Sequence, residues 1–480
     1  MYKNAKRVPN SLLFYNTLGM GESKMSVKDS LVIIGLTGPF GSGCSTIAKI
    51  LSDKIEYRKG KDRKYGFEYI KISDILEREA AKRKINIKKM ASGKRRKTLQ
   101  DIGNKLRKEK GLGVLVELAI AEARQKDTNL IVIESIKNPG EVIELKKYPN
   151  GYLMAIDAPY DVRWGRVRDS YKRDQRQFDI DNGRDRNEGI ESGQNVQTCV
   201  DLADIFITNE RDMMEVKHEW EEFEKTKIDR VVNLIKNPGS EEPTPMELMM
   251  NNAYCTSLLS TCMRRQVGAV ITVAEINNKH INSKKASPKT QDQQIKFREY
   301  LIATGYNAVP EGELCCEVLY GECYRAKTFR ESLKKLKHCP NCGIKLSPYS
   351  NRCPKCSIEF KELYPSNSLD LCRSLHAEES AILQTARLGG GVSLVGTTLY
   401  TTTFPCLLCA NKILGGGIAR VIWLEAYPDK NSMELLNAAS KRGTIELVEF
   451  EGVKAEAFYK LFNKKYINFE RREQNEKKRL

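Results

Sequence analysis

His376-Ala-Glu378-Glu-Ser-Ala-Ile382, followed after the apolar run Thr398–Tyr400 by Pro405-Cys406-Leu-Leu-Cys409, is the stretch on which the reading of this chain turns. Each half stands where a strand pattern gives way to a helical one. In the first, Ile382, Leu383 and Ala386 are available for one buried helix face. In the second, Pro405 suits the first turn of a helix running to about Leu414, and Gly415-Gly416-Gly417 suits its end. Cys406 and Cys409 then open a helix, where the dipole favours thiolates. The His376 imidazole and these two thiolates supply zinc with three ligands and leave a fourth position for water. Zinc makes that water acidic enough to react near neutral pH. Glu378 is not needed as a ligand and is available as a general acid and base. A core histidine beside an unrelated redox or structural cysteine pair is the competing account; both halves together, in order, argue against it.

A second cysteine set lies upstream. Cys339-Pro-Asn-Cys342 and Cys353-Pro-Lys-Cys356 form two tight knuckles. Four thiolates close a tetrahedron around zinc with no open position, which is the mark of a structural site. The surrounding segment is lysine-rich and short of apolar residues, so the metal is expected to supply its folding energy.

Near the N-terminus, Ile33-Ile-Gly-Leu-Thr-Gly-Pro-Phe-Gly-Ser-Gly-Cys-Ser-Thr46 runs from an apolar strand through a glycine-rich turn into a helix. Gly38, Gly41, Gly43, Cys44, Ser45 and Thr46 fit a phosphate-binding loop whose amides cradle phosphates. Cys44 occupies the place of the loop lysine, and a thiol brings no positive charge to a transferring phosphoryl group. Nucleotide binding is therefore the expectation, and efficient kinase chemistry is not.

Around these motifs the chain alternates strand and helix signals in two regions. The expected division is an extension over 1–28, a first domain over 29–236 and a breaker-rich linker over 237–245. A second domain over 246–462 follows, interrupted by a cysteine-rich insertion at 311–371, and a charged tail covers 463–480. Lys and Arg number 80 against 62 Asp and Glu, a surplus of +18. That surplus suits a phosphate-rich partner, nucleotide and nucleic acid alike, or a solvated basic surface. No apolar run is long enough to span a bilayer, and the first thirty residues lack a secretory pattern, so a cytoplasmic protein without membrane contact is expected.

Leu371-Cys-Arg-Ser-Leu-His-Ala-Glu-Glu-Ser-Ala-Ile382 and Leu399-Tyr-Thr-Thr-Thr-Phe-Pro-Cys-Leu-Leu-Cys-Ala410 closely resemble deoxycytidylate deaminases. Arg265-Gln-Val-Gly-Ala-Val270 and Thr304-Gly-Tyr-Asn-Ala-Val-Pro310 look like that family's first two strands and substrate loop. The resemblance implies a cytidine-deaminase-like α/β/α sandwich, a mononucleotide substrate, Asn307 on the nucleotide and Arg265 on its phosphate. Such enzymes commonly form hexamers. Cys315, Cys316, Cys323 and Cys372 stand where the family often carries extra cysteines, as buried thiols or a further metal site. Leu130 to Glu141, Arg163 with Arg166, Gln194-Asn-Val and Ala203 to Asn209 resemble nucleoside monophosphate kinases, implying a P-loop kinase-like parallel sheet over 29–236.

A lysine-less kinase-like domain fused to a deaminase resembles bacterial anti-phage deoxycytidine nucleotide deaminases. That resemblance implies conversion of dCMP or dCTP to the deoxyuridine nucleotide, a restraining N-terminal domain and an inhibitory small RNA in some members. A polynucleotide or tRNA deaminase, an active kinase–deaminase fusion and a non-catalytic RNA-binding regulator are the alternatives.

Overall fold

Val32–Thr37 (β1) and Leu130–Glu134 (β3) are buried along nearly their whole length, as parallel strands covered by helices on both faces must be. The computed structural model describes residues 31–56, 67–87, 90, 92–126, 128–209, 217–275, 298–347, 352–358, 360, 372–388, 393–425 and 429–464. The expected extension 1–28 lies outside them, as do 348–351, 359 and 361–371 of the insertion and 465–480 of the tail.

β1 pairs in parallel with β3 on one side and with β4 (Asn150–Asp157) on the other. β2 (Phe67–Lys71) lies outside β3, and β5 (Ile205–Thr208) outside β4, again in parallel. The carboxyl ends of β1, β2 and β3 therefore meet at one edge, where ligands bind in sheets of this kind.

The second sheet contains β6 (Gly268–Glu275), β7 (Arg298–Tyr306), β8 (Thr398–Thr403), β9 (Arg420–Glu425) and β10 (Glu446–Glu449), ordered β10-β9-β8-β6-β7. β8, β9 and β10 are parallel, whereas β6 runs antiparallel to both β8 and β7. Its side chains alternate between two cores. Val270, Tyr400 and Ile422 face helix Pro245–Ser257 and join the core of the first sheet. Ala269, Ile271, Leu399 and Val421 face the opposite way, onto helices Ala377–Leu388, Leu407–Gly415 and Lys430–Lys441.

After β10 the chain returns to the first sheet. Gly452–Val453 (β11) pairs antiparallel with β5, and the following helix, Ala455–Phe462, buries Ala457, Phe458 and Leu461 against Ile228, Val231 and Val232. The segment 246–462 is thus divided between the two sheets. The breaker-rich stretch Asn237–Pro245 turns beside this returning helix, Gly239 N donating to Leu461 O at 2.6 Å. Among the described residues, no helix is long and apolar enough to cross a membrane.

Glu247 fastens the return. It is fully buried; its carboxylate accepts from both terminal nitrogens of Arg230 (3.0 and 2.8 Å), from Thr244 N in a capping box and from Val453 N at 3.0 Å. Glu247→Ala removes the ion pair of Arg230, leaving that partly exposed guanidinium only its bond to Glu242 O, and frees β11. It is expected to cost about 3–5 kcal/mol, read as a lowered denaturation midpoint with faster amide exchange at Val453. Unchanged exchange there would show that the return does not depend on this carboxylate.

Candidate active site and metal centres

β8 ends in Phe404-Pro405-Cys406, and helix Leu407–Gly415 begins directly after. Cys406 is the N-cap, in extended geometry, so Pro405 precedes the cap instead of lying in the first turn as expected. That arrangement turns the Cys406 thiol inward. Asp429 caps the same helix by accepting from Leu407 N at 3.0 Å, and Ser432 Oγ donates to Pro405 O at 2.6 Å.

His376 immediately precedes helix Ala377–Leu388, Ser380 N donating to its carbonyl at 2.8 Å. The buried face of this helix is Ala377, Glu378, Ala381 and Thr385. Leu383 and Ala386 are exposed, so the expected face is corrected by about one residue step. The cause is β7: a Cβ on Gly305 would meet Ala377 O at 2.2 Å and Ala381 N at 2.3 Å. Only a glycine facing small helix residues allows that approach, and the approach sets His376 and Glu378 beneath the strand ends.

The two helix N-termini converge. Cys406 Sγ lies 3.2 Å and Cys409 Sγ 3.4 Å from His376 Nδ1, and all three ligand atoms lie within 4.8 Å of one another. Cys409 donates toward Glu378 Oε2 at 3.6 Å. The Cys406 thiol is driven well down because Cys409 donates to it and His376 stands beside it, while Cys409 is driven up. Burial pushes the Glu378 carboxyl up to about 7. The donor set, one imidazole and two sulfurs with a carboxylate behind them, fits zinc with an open position.

A cavity of about 300 Å³ opens over this cluster, lined by Arg264, Arg265, Asn307, Arg325 and Phe404 among others. Asn307 and Arg265 both reach it, but each has structural duties. Asn307 Oδ1 accepts from Val267 N at 2.7 Å and its Nδ2 donates to Arg265 O at 2.8 Å; the Arg265 guanidinium pairs with Glu425 at 2.6 Å. Sequence reasoning missed Arg264 and Arg325. Arg264 adjoins a residue already singled out, whereas Arg325 comes from helix Tyr324–Lys335 of the insertion and belongs to no motif.

In the insertion, Cys339 and Cys356 lie 3.7 Å apart and Cys342 and Cys353 3.5 Å apart, the four sulfurs all within 4.8 Å. A tetrahedron with zinc–sulfur bonds near 2.3 Å has edges of roughly 3.8 Å, so the set fits a closed zinc site. Leu333, Leu346 and Phe360 add a small apolar cluster beneath it that the lysine-rich composition conceals. Cys315, Cys316, Cys323 and Cys372 form no such set among the described residues.

The glycine-rich loop of residues 38–43 lines a separate cavity of about 550 Å³. Gly38, Gly41 and Gly43 all have positive φ, and helix Cys44–Glu56 starts directly after them, carrying Ser45 and Thr46 in its first turn. Ser45 Oγ donates to the buried Glu134 carboxylate at 2.5 Å. Cys44 turns beneath the loop, its Sγ 3.5 Å from Thr37 O. Arg166 donates to Gly41 O and Ser42 O at 3.2 Å, and buried Arg163 to Phe40 O at 3.1 Å, so both brace the loop.

The two metal sets predict separable losses. Cys409→Ser is expected to lower zinc content by about one ion per chain with little change in fold, because an open three-ligand site contributes less folding energy than a closed one. Cys353→Ser is expected to remove a different ion and to melt the turns that carry the four cysteines, seen by elemental analysis with limited proteolysis.

The family described as "Cytidine and deoxycytidylate deaminase zinc-binding region" matches residues 243–425. A deoxycytidylate deaminase of Schizosaccharomyces pombe is 26% identical over 322 residues, covering 64% of this chain and 74% of that protein. The deoxycytidylate deaminase of Enterobacteria phage T4 is 32% identical over 180 residues, covering 37% of this chain and 76% of that protein. A UPF0200 protein of Sulfurisphaera tokodaii is 26% identical over 194 residues, 40% of this chain and 96% of that protein. With the His376, Cys406 and Cys409 cluster assembled on two helix N-termini and a phage relative matched over most of its length, the chain belongs to the deoxycytidylate deaminase family.

Proposed function

We propose that the chain hydrolytically deaminates free deoxycytidine nucleotides, dCMP, dCTP or both, with zinc held by His376, Cys406 and Cys409. The observation that carries this is the Glu378 carboxyl, buried beside those three ligand atoms at the floor of an arginine-rimmed cavity. Zinc in such a three-ligand set supplies activated water near neutral pH. Glu378 takes the proton released by the attacking water and delivers it to N3 of the cytosine ring. Burial pushes this carboxyl upward and so favours its holding a proton between the two transfers, while the charge of a bound zinc favours its release. The same group then takes the remaining proton from the new C4 hydroxyl and passes it to the amine; the C4–N bond breaks as the carbonyl forms, so water and the cytosine ring become ammonia and the uracil ring. Arg264 and Arg325 face the cavity with charge suited to the nucleotide phosphate, and Arg265 contributes through its pairing with Glu425. Asn307 shapes the pocket wall by holding residues 265–267.

The first domain acts as a nucleotide-binding regulator, a reading supported by the glycine loop, its cavity and the neutral Cys44 thiol, which burial pushes up to about 11. Depletion of deoxycytidine nucleotides during phage infection is the biological role that this pairing of domains supports. An oligomeric assembly, and a small inhibitory RNA drawn by the +18 surplus, complete the reading.

Purified protein is expected to release ammonia from dCMP or dCTP, and inactivity on both would sink the proposal. Glu378→Ala should lower kcat by roughly a thousandfold at unchanged zinc content. Arg325→Ala should raise KM about tenfold with kcat nearly unchanged. In infected cells the wild-type protein should lower the dCTP pool and the plaque count, and Glu378→Ala should do neither.

A further inference from the structure

At the phosphate loop, the corner between a loop hydroxyl and a strand-end carboxylate is where a divalent cation would be held: Ser45 Oγ and the Glu134 carboxylate are the natural oxygen donors. In this chain the corner is filled by a side chain. Lys71, the last residue of β2, places its Nζ 3.3 Å from Glu134 Oε1 and 3.4 Å from Ser45 Oγ. Strand register explains the placement, because Lys71 is the direct partner of Glu134 across the β2–β3 ladder and helix Ile72–Lys82 starts at the next residue. Tyr69, two residues earlier and on the same face, donates to Glu134 Oε2. Both carboxylate oxygens are thus engaged, Oε1 by Ser45 and Lys71 and Oε2 by Tyr69.

A magnesium ion bound to these oxygens sits about 2.1 Å from each. It would stand within a few ångströms of an ammonium already fixed there, where the repulsion of like charges is large in a partly buried site. An ammonium between a hydroxyl and a carboxylate, with one N–H left to face the cavity, meets the same need for positive charge beside a phosphate. It cannot polarise a phosphoryl group as a divalent ion does, in keeping with a loop whose own lysine position is the thiol Cys44.

We propose that this cavity takes a nucleoside polyphosphate without a divalent cation, the Lys71 ammonium standing between Ser45 and Glu134 where the metal would otherwise be. This rests on the reading of the loop as a nucleotide site. The ligand class is a phosphate ester held for its presence and not for transfer, so occupancy reports the nucleotide pool independently of magnesium.

The test is calorimetric titration of the full chain with ATP, GTP and dCTP, each in chelator-free buffer depleted of magnesium, so that both zinc sets keep their metal, and in the same buffer with magnesium added. Glu378 and the deaminase cavity are unaltered in every sample. Loop binding is identified by its loss in Gly43→Ala, because a Cβ on Gly43 would meet Asn209 Nδ2 at 2.3 Å in a backbone conformation with φ +102°. The expected result is loop binding of at least one nucleotide that differs less than about threefold without and with magnesium. Lys71→Met, which keeps the stem and removes the charge, should weaken that binding without magnesium by about tenfold, the worth of one charge-assisted contact. Magnesium should restore it, and Lys71→Arg should bind without magnesium like the wild type. Wild-type binding lost without magnesium, or Lys71→Met unaffected there or unrescued by magnesium, overturns the cation surrogate while leaving a nucleotide site. No Gly43-dependent binding of any of the three nucleotides under either condition overturns the nucleotide site and the surrogate together.

Discussion

A single buried carboxylate holds the molecule's layout. Glu247 caps its own helix, neutralises Arg230 of the helix before it and receives the backbone of β11 from the far end of the chain. A charge with no access to water must be fully paired, so these three elements have little freedom to move apart. Helix Pro245–Ser257 is thereby clamped between the sheets, with Met249, Met250 and Ala253 in a core shared by Leu153, Ala155, Phe206, Val270 and Ile422. The second sheet lies on that helix with one face and carries the His376, Cys406 and Cys409 cluster on the other.

Two cysteines show how neighbours decide what a helix start does. Cys44 opens one helix and Cys406 caps another. Cys44 is half-buried beneath its loop and stays a neutral thiol, pushed up by burial. Cys406 is pulled the other way by Cys409 and His376. The macrodipole is common to both, so the difference lies in what the rest of the chain brings within hydrogen-bond reach.

Much of this was legible in the linear chain. The spacing of His376, Glu378, Cys406 and Cys409, and of the four knuckle cysteines, reflects local turns that a metal demands, and local geometry is written in local sequence. The alternation of strands and helices was equally plain. Features set by long-range packing were not. The face of helix Ala377–Leu388 depends on Gly305, far away in sequence, and Asn307 spends its amide on residues 265–267. Arg325 reaches the cavity only because the insertion folds back over it. Lys71 acquires its place from strand register, which no single segment encodes.

The return of β11 and its helix to the first sheet carries a consequence for synthesis. An emerging polypeptide can complete the second sheet as soon as β10 leaves the ribosome, but the first sheet keeps an open edge at β5 until residues 452–462 follow. The half made first is therefore finished last. A ribosome stalled anywhere short of that segment leaves a nascent chain with an unpaired strand and a bare apolar groove around Ile228 and Val232, a natural handle for chaperones and proteases.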